Sequence, residues 1–273
     1  MESKAQNMNS RLKYLNGVNP PDVKVKGRFL THKFVVGTLL SELTEKNAMV
    51  NFLDFINDKL WKVSGMRDTQ QNQLGIVFYK DKTQERVNLM LKNNTLEQGQ
   101  TNINGMQIPS LSNQLKNIDW NNLCTFSQSY FHGDPQPENV IYDNYEWTLI
   151  DWRDNFGGQV DFGDKYYDLA KIYHALIVSG QSVRRGEFEV YILKNNDILT
   201  KIFIQHNHRI MINEFEKWVS LNGIDLLKIR ELSALILLNI APLHKKDYGI
   251  FLYYYGRYLL ELNSRRDWIK IVD

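Results

Sequence analysis

The sequence predicts an α+β chain that is predominantly helical, with one small β-hairpin near its centre. Two short β-prone runs, residues 140–142 and 147–150, flank the turn-rich tetrad 143–146, which is the pattern of a hairpin. Apolar residues recur at helical spacing before and after the hairpin, in residues 47–60 and 166–178. With 273 residues, 43% of them hydrophobic, the chain can form a core of one large or two modest domains.

The first part of the chain is predicted to start with polar sequence and to continue as a helix. Residues 1–28 are polar and contain Pro20-Pro21, so we expect them to be partly disordered. Within them, residues 23–26 fit an edge strand whose lysines face outward. Asn47 is a suitable N-cap for a helix with five residues on its core face: Met49, Phe52, Leu53, Ile56 and Leu60.

Loops and helices are predicted to alternate between that helix and the hairpin. Residues 63–74 are polar and loop-like, and residues 94–107 are rich in Asn, Gln and Gly and are expected to form an exposed loop. A helix beginning at Ser110 or Ser112 then leads toward the hairpin. Another helix is predicted over residues 82–91, with three residues facing the core: Val87, Met90 and Leu91.

The chain after the hairpin is predicted to be helical. Residues 166–178 form a helix with apolar residues at helical spacing, and residues 188–262 contain three or four more helices. The tyrosine-rich run 252–258 is interpreted as core with polar hydroxyl tips. Turn and breaker residues interrupt these helices at three places: near 195–196, 222–223 and Pro242.

Composition excludes several classes of protein. The net charge of +2 gives no sign of a polyanion-binding surface, so we expect no nucleic-acid partner. A single cysteine, Cys124, suits a reducing compartment and is interpreted as a small core residue. The first residues are polar throughout, and no apolar run approaches the ~18 residues of a membrane span. We therefore expect a cytoplasmic protein with no membrane span.

The most informative feature of the sequence is a set of polar residues around the hairpin. His132 and Gly133 precede Asp134, Asn139 follows Asp134 by five residues, and Asp151 follows Asn139 by twelve. Phosphoryl transfer from a magnesium nucleotide needs one carboxylate to orient the attacking hydroxyl, and an amide and a second carboxylate to hold the metal ions. Each residue alone is also an ordinary turn residue, but the combined spacing favours this chemistry. Because hairpin strands are antiparallel, Asn139 and Asp151 are expected at the same end.

These residues carry a resemblance to a known family. The chain resembles the C-terminal lobe of the aminoglycoside phosphotransferase and choline kinase-like family, a branch of the protein-kinase-like fold, over roughly residues 34–262. It is most similar to the phosphotransferases of surface-polysaccharide gene clusters. The segments 78–83, 151–153 and 166–171 are typical of that group. The resemblance rests on three blocks in order: His132-Gly133-Asp134 with Asn139, then Ile150-Asp151-Trp152, then Gly163-Asp164 with Asp168-Leu169-Ala170.

The resemblance implies an ATP-dependent phosphotransferase that acts on a hydroxyl of a small molecule, such as a sugar, an amino alcohol or an aminoglycoside-like compound. It implies that Asp134 is the catalytic base and that Asn139 and Asp151 bind Mg²⁺ and, through it, ATP. It also implies that Asp168 reaches under the catalytic loop and ties its backbone. An N-cap role is the alternative for Asp168, because that residue lies near the start of a helix.

Several neighbouring residues have both a structural and a functional interpretation. His132 is interpreted as a residue that braces the loop by hydrogen bonds rather than as the base. Gly133 is interpreted as allowing the backbone conformation of the tight loop. Arg153 and Asp154 are possible substrate residues, since an arginine fork suits an anionic group or a phosphate oxygen. The alternative for Arg153 is a surface ion pair with Asp154 or Asp161.

The sequence departs from the family in its N-terminal part. Residues 34–40 resemble the hinge and the start of the first C-lobe helix, and residues 1–33 contain no glycine-rich phosphate loop and no strand-borne lysine. Residues 1–33 are therefore interpreted as a disordered segment or a remnant of the nucleotide lobe, and residues 34–273 as the phosphotransferase C-lobe. The chain is then a fragment, the partner of a separate N-lobe polypeptide, or a degenerate kinase.

Two other functions compete with a small-molecule kinase. A catalytically impaired pseudokinase or partner-binding module would explain the missing nucleotide lobe, but such a chain has no chemical reason to keep Asp134, Asn139 and Asp151. A protein kinase is disfavoured because the loop lacks the His-Arg-Asp order, Asp151 is followed by Trp-Arg, and no Ala-Pro-Glu follows.

Overall fold

The computed structural model describes residues 2–11, 18, 23–27, 29–63, 68–126, 128–143 and 145–268. Helices make up 54% and strands 17%, so the predicted α+β class with predominant helix is confirmed. The helices are α1 (Glu2–Arg11), α2 (Ala48–Lys59), α3 (Asp68–Gly75), α4 (Lys82–Asn93), α5 (Leu111–Lys116), α6 (Trp120–Cys124), α7 (Lys165–Ile177), α8 (Gly180–Arg184), α9 (His206–Leu221), α10 (Leu226–Ile240) and α11 (Lys246–Ser264). Short 3-10 turns lie at Leu40–Glu42, Pro137–Asn139, Lys194–Asn196 and Ala241–Leu243.

The strands form four small sheets. Two are two-stranded, one has the order β10-β11-β4-β5 and one the order β3-β7-β8. The strands are β1 (Lys24–Lys26), β2 (Phe29–Thr31), β3 (Thr38–Leu39), β4 (Thr101–Ile103), β5 (Met106–Ile108), β6 (Gln128–Ser129), β7 (Val140–Asp143), β8 (Glu146–Leu149), β9 (Gly163–Asp164), β10 (Phe188–Ile192) and β11 (Asp197–Ile202).

The core is built around α10, the most apolar of the long helices. It packs against α7 and α11, and also against α4 and α9. The inner residues of α7, among them Leu169, Ile172 and Leu176, are completely buried. Burying apolar surface of this kind is the main favourable term in folding, and it fixes α7 as the central support of the hairpin region.

The predicted hairpin is present as β7 and β8. Val140 pairs with Leu149, so Asn139 and Ile150 lie opposite each other beyond the paired ends, and the Ile150 N–H donates to the Asn139 carbonyl over 3.0 Å. Asn139 and Asp151 therefore emerge at the same end, as expected from the antiparallel pairing. Asn144, in the predicted turn, lies outside the described residues.

Several sequence predictions of helices and caps are confirmed. The helix predicted over residues 82–91 is α4, with Val87 and Met90 buried and Leu91 half-buried. Ser110 caps α5, because its hydroxyl accepts the Asn113 N–H over 3.3 Å. Asn47 precedes α2 as predicted, but its side chain makes no capping hydrogen bond there.

The polar segments before the hairpin were predicted wrongly. Of the predicted loop at 63–74, residues 68–74 belong to α3, and a π-helical turn at Ile76–Asp81 joins α3 to α4. The segment lacks apolar periodicity, and two of its contacts come from non-apolar residues: the buried Gly75 packs on Cys124 of α6, and the Asn72 side chain accepts the Thr125 hydroxyl over 3.1 Å. The predicted loop at 94–107 contains β4 and most of β5; its Asn104-Gly105 turn, with φ of 53° and 77°, is a hairpin signal that the interpretation missed.

Three other predictions are corrected by the structure. Residues 188–202 form the hairpin β10–β11 rather than a helix, and the break near 195–196 is its turn. Residues 38–39 form β3, which pairs with β7, so they do not start a helix; the next α-helix begins at Ala48. At the start of the chain, part of the segment that was expected to be partly disordered forms α1, whereas the strand predicted at residues 23–26 is confirmed as β1, which pairs with β2; Pro20-Pro21 lies outside the described residues.

Candidate functional site

Asp168 holds the loop that precedes the hairpin. It is completely buried, and its Oδ2 accepts the His132 N–H over 2.8 Å while its Oδ1 accepts the Gly133 N–H over 2.6 Å. The Trp61 indole N–H also donates to Oδ2, over 3.0 Å. This is the contact that the resemblance implied for Asp168. The N-cap alternative is wrong, because the N-cap of α7 is Asp164, which accepts the N–H of Tyr166.

His132 and Gly133 shape the same loop. The His132 ring is completely buried, packs at an angle of 51° against the Trp152 ring with 4.5 Å between the centroids, and accepts the Asp134 N–H at Nδ1 over 3.1 Å. Gly133 has a φ of 89°, and a Cβ there would clash with the Cβ of Arg153. These contacts describe a bracing role for His132 and a backbone role for Gly133.

Asn139 is tied to the backbone of Asp134. The Asn139 side chain is buried, and its Nδ2 donates to the Asp134 carbonyl over 3.0 Å. Because the amide nitrogen is used in this way, the Oδ1 atom is left as an acceptor. The hydrogen bond to Asp134 therefore orients the Asn139 amide, and these two residues were predicted to act together in the site.

Asp151 occupies a strained position at the end of the hairpin. It is exposed, and its φ of 57° places it in the left-handed region, which non-glycine residues adopt at a cost. The residues that follow hold it there: Trp152 is buried and donates its indole N–H to the Leu149 carbonyl over 2.8 Å, and the Arg153 N–H donates to the His132 carbonyl over 3.0 Å.

Lys171 forms an ion pair with Asp134 that the sequence interpretation missed. The Lys171 ammonium lies 2.8 Å from Oδ1 of Asp134, and its side chain is almost completely buried. Burial alone would lower the pKa of Lys171, because it disfavours the charged form. The charge of Asp134, its hydrogen bond to Lys171 and the charge of Tyr167 together outweigh burial, so the pKa of Lys171 is raised. The sequence contained one signal for this contact: Lys171 follows Asp168 by three residues, and residues three apart lie on the same face of a helix.

A cavity of about 220 Å³ adjoins Asp134 and Lys171. The π-helical turn places Phe78 in its wall, and α10 supplies apolar residues including Leu232 and Ile236. Arg153 also lines it. Three larger surface clefts among the described residues, of about 350, 500 and 690 Å³, contain none of the motif residues. The cavity beside Asp134 is therefore the one in which chemistry at that carboxylate could take place.

Arg153 reaches the cavity and forms no surface ion pair. Its guanidinium lies 5.1 Å from the Phe78 ring centroid and 5.8 Å from that of Tyr167, and its Nε donates to the Asn155 carbonyl over 3.0 Å. Among the described residues, no carboxylate lies within ion-pair distance of it, so the predicted alternative of a pair with Asp154 or Asp161 is wrong. Asp154 itself is half-buried and does not line the cavity.

Two ionisable groups near this part of the molecule have shifted pKa values. Burial, followed by the nearby charges of Arg153, Arg86 and Lys171, lowers the pKa of Lys82 from 10.5 to about 7. Burial raises the pKa of Asp164 to about 6, and Oδ2 of Asp164 accepts the Tyr79 hydroxyl over 2.8 Å. Lys82 lines the cavity, and a perturbed group in a cavity is typical of a functional site.

The donor set of the site suits a hard cation. Within the described part of the chain there is no group of three or more His, Cys, Asp or Glu side chains that could hold a metal ion. Asn139 Oδ1 and the Asp151 carboxylate emerge at one end of the hairpin, and Mg²⁺ needs only one or two protein oxygens when waters and phosphates complete its shell. These oxygen donors match the ligands that Mg²⁺ prefers, and they do not match the nitrogen and sulfur ligands of a zinc centre.

Comparison of the chain with protein-family models, curated proteins and solved structures finds no match. Among the helices of the described residues, none combines the length and apolar character needed to cross a bilayer.

Proposed function

We propose that this chain is a small-molecule phosphotransferase with the C-lobe architecture of the protein-kinase-like fold, transferring the γ-phosphoryl group of ATP to a hydroxyl. One observation carries the proposal: Asp134 borders a cavity while its backbone carbonyl orients the Asn139 amide, and the paired hairpin strands bring Asp151 to the same end as Asn139. Phosphoryl transfer requires a carboxylate that orients the attacking hydroxyl, an amide and a second carboxylate that hold the metal ions. In this proposal Asp134, Asn139 and Asp151 fill these three roles.

In this proposal Asp134 accepts the proton of the attacking hydroxyl. Its Oδ1 is engaged by Lys171, which leaves Oδ2 for the acceptor hydroxyl. Asp168 fixes the loop from below, so the carboxylate approaches the substrate in one orientation. A preorganised base of this kind is the main contribution that the protein makes to the proton transfer.

Asn139 and Asp151 hold the metal nucleotide in this proposal. The Asn139 Oδ1 and the Asp151 carboxylate are the oxygen donors, and bound Mg²⁺ would neutralise phosphate charge. The left-handed backbone at Asp151 supports an assignment to function, since strain of this type is retained mainly where a site requires it.

A pseudokinase or partner-binding module is the alternative function. It would need neither the Asp134–Lys171 ion pair nor an oriented Asn139 amide, and buried ionic contacts are costly to maintain without a role. A protein kinase is disfavoured by the residues of the site, because the loop lacks the His-Arg-Asp order and Asp151 is followed by Trp-Arg.

Metal and nucleotide binding test the proposal directly. Mn²⁺ in place of Mg²⁺, followed by water proton relaxation with and without ATP, should show binding in the wild-type chain and a clear loss in Asp151→Asn. Asp154→Asn, three residues away and outside the cavity lining, is the matched control and should bind as the wild type does. Unchanged binding in Asp151→Asn would remove Asp151 from the site and with it the proposed nucleotide position.

Turnover is tested with γ-labelled ATP, Mg²⁺ and a panel of small hydroxyl compounds. The proposal expects labelled product with at least one acceptor, and formation of that product about 10²–10⁴-fold more slowly with Asp134→Asn under the same conditions. Label transfer that is equal in the two proteins would refute the assignment of Asp134.

A further inference from the structure

Four cationic side chains and one carboxylate surround the cavity beside Asp134. Lys171 is paired with the carboxylate of Asp134, and the three other cations are Lys82, Arg86 and Arg153. In the described part of the chain none of these three has a carboxylate within 4.0 Å. The wall is therefore strongly positive, although the chain as a whole has a net charge of only +2.

The three unpaired cations are placed in low-dielectric surroundings. The Lys82 ammonium lies 4.3 Å from the centroid of the Phe78 ring, and the Arg153 guanidinium lies 5.1 Å from the same centroid. The Nε atom of Arg86 is buried without a hydrogen-bond partner among the described residues. A buried donor without an acceptor is costly, so the site is one that an external acceptor group would complete.

We propose that the hydroxyl acceptor carries an oxyanion, a phosphate or carboxylate group, which Lys82, Arg86 and Arg153 bind while its hydroxyl faces Asp134. This inference rests on the proposed function and narrows its substrate. Cationic acceptors such as amino alcohols and aminoglycosides would meet net repulsion at this wall, whereas an anionic group gains charge-assisted hydrogen bonds there.

The geometry assigns the basic wall to the acceptor rather than to the nucleotide. Asp134 lines the cavity, but neither Asn139 nor Asp151 does. ATP phosphates follow the metal ligands, so they would lie beyond this wall. The remaining wall comes largely from apolar side chains of α10, and the volume of about 220 Å³ equals that of roughly seven water molecules. The acceptor is therefore small.

Binding of the anion should be accompanied by proton uptake. Lys82 is only partly charged near neutral pH, and the charged groups that face it are Arg86 and Glu85 on α4, Arg153 after the hairpin, and Lys171 on α7. An anion among these cations favours the ammonium form of Lys82. The effect follows from the positions of the side chains around the cavity, and calorimetry can measure it.

The experiment measures binding to the full chain without ATP or metal. Calorimetry at pH 7.5 uses glycerol 3-phosphate, glycerate, inorganic phosphate and glycerol as probes, in two buffers of different ionisation enthalpy. We expect glycerol 3-phosphate or glycerate to bind with proton uptake and glycerol not to bind. The phosphate and carboxylate probes distinguish the two kinds of oxyanion.

Variants locate the binding site. Lys82→Met and Arg153→Met should each weaken binding of the anionic probe by roughly tenfold or more. Lys92→Met removes one charge from the exposed part of the same helix, outside the cavity, and should bind the probe as the wild type does. Equal binding of the probe to Lys82→Met and to Lys92→Met, or no binding of any anionic probe, would overturn the inference.

Competition with ATP separates this inference from the proposed function. If ATP displaces glycerol 3-phosphate from the wild-type chain and Lys82→Met weakens ATP equally, the wall belongs to the nucleotide and the acceptor assignment is wrong. If the wild-type chain transfers no label from ATP to any acceptor while the anionic probe still binds at Lys82 and Arg153, the proposed function fails and the anion site remains. The two failures therefore give different results.

Discussion

At the scale of single residues, Asp168 has the largest share in shaping the site. Its carboxylate accepts hydrogen bonds from the backbone N–H groups of His132 and Gly133 and from the Trp61 indole. Asp168→Asn keeps the size of the side chain but loses the charge and turns one acceptor into a donor. We expect a loss of roughly 2–4 kcal/mol in the free energy of unfolding, measured by urea denaturation. Asp154→Asn is the control and should change it little.

Two substitutions distinguish the proposed role of Asp134 as the base from the bracing role of His132. General-base assistance is worth about 10²–10⁴-fold, so Asp134→Asn should lower the phosphorylation rate by that order in the folded protein. It also leaves the buried Lys171 without its counter-charge, and stability must be measured alongside the rate. His132→Gln should affect mainly stability. A folded His132→Gln without turnover, beside an active Asp134→Asn, would show that the base was assigned to the wrong residue.

Lys82 gives the stability a specific pH dependence. Its pKa is about 7 in the folded chain against an ordinary value of 10.5, so the unfolded chain binds more protons between these values. Lys82 therefore makes the free energy of unfolding rise as the pH increases from about 7 to 10.5. Lys82→Met should raise the Tm at pH 7 relative to the wild type, and the gain should shrink by pH 9.5. A gain that is the same at both pH values would contradict the depressed pKa.

At the scale of elements, the π-helical turn at Ile76–Asp81 positions the cavity wall. It joins α3 to α4 and places Phe78 and Tyr79 inside the molecule, where the Tyr79 hydroxyl donates to Asp164. A π-turn inserted between helices often marks a functional site, because it shifts the side chains that follow relative to a regular helix. The turn also brings Lys82 to the ring of Phe78.

Gly75 allows this element to pack. A Cβ at Gly75 would lie 2.5 Å from the backbone carbonyl oxygen of Cys124. Alanine normally gains about 1 kcal/mol over glycine in a helix, but here Gly75→Ala must displace backbone, and we expect a net loss of roughly 1–3 kcal/mol in chemical denaturation. Gln73→Ala, exposed on the same helix, should be nearly neutral. Stabilisation by Gly75→Ala would show that α3 and α6 are not in close contact.

At the scale of the whole molecule, Arg257 links the C-terminal helix to the middle of the chain. It is completely buried, and its guanidinium donates to the Gln114 side chain and to the carbonyls of Glu97, Gly99 and Pro109. Tyr253 and Tyr254 beside it are buried: the Tyr253 hydroxyl donates to the Glu97 carbonyl and the Tyr254 hydroxyl accepts the Glu97 N–H, which agrees with the interpretation of residues 252–258 as core. A buried arginine of this kind connects segments that no sheet or helix joins.

Arg257→Met should therefore be strongly destabilising. The substitution keeps an unbranched side chain but leaves four buried acceptors without their donor, and we expect a loss of roughly 3 kcal/mol or more in urea denaturation. Arg265→Met on the same helix breaks a partly exposed ion pair with Glu261 and should cost about 0–1 kcal/mol. Equal losses in the two variants would mean that the buried network contributes nothing specific.

The sequence by itself determined those features that are encoded within one segment. Helical periodicity identified α2, α4 and α7, because the same residues that form the helix also face the core. The hairpin β7–β8 and the common end of Asn139 and Asp151 followed from two β-prone runs around a turn. Where a segment has little apolar periodicity, as in residues 68–75 and 101–108, the same reasoning predicted loops.

Only the tertiary structure decided which distant segments meet. β11 pairs in parallel with β4 across almost a hundred residues, and no local pattern specifies such a partner. The ion pair of Asp134 with Lys171, and the gathering of Lys82, Arg86 and Arg153 around one cavity, depend on how α4, α7 and α10 pack. Local sequence sets the backbone period of each element, whereas burial of apolar surface between elements sets their relative positions, and the charge of the site follows from those positions.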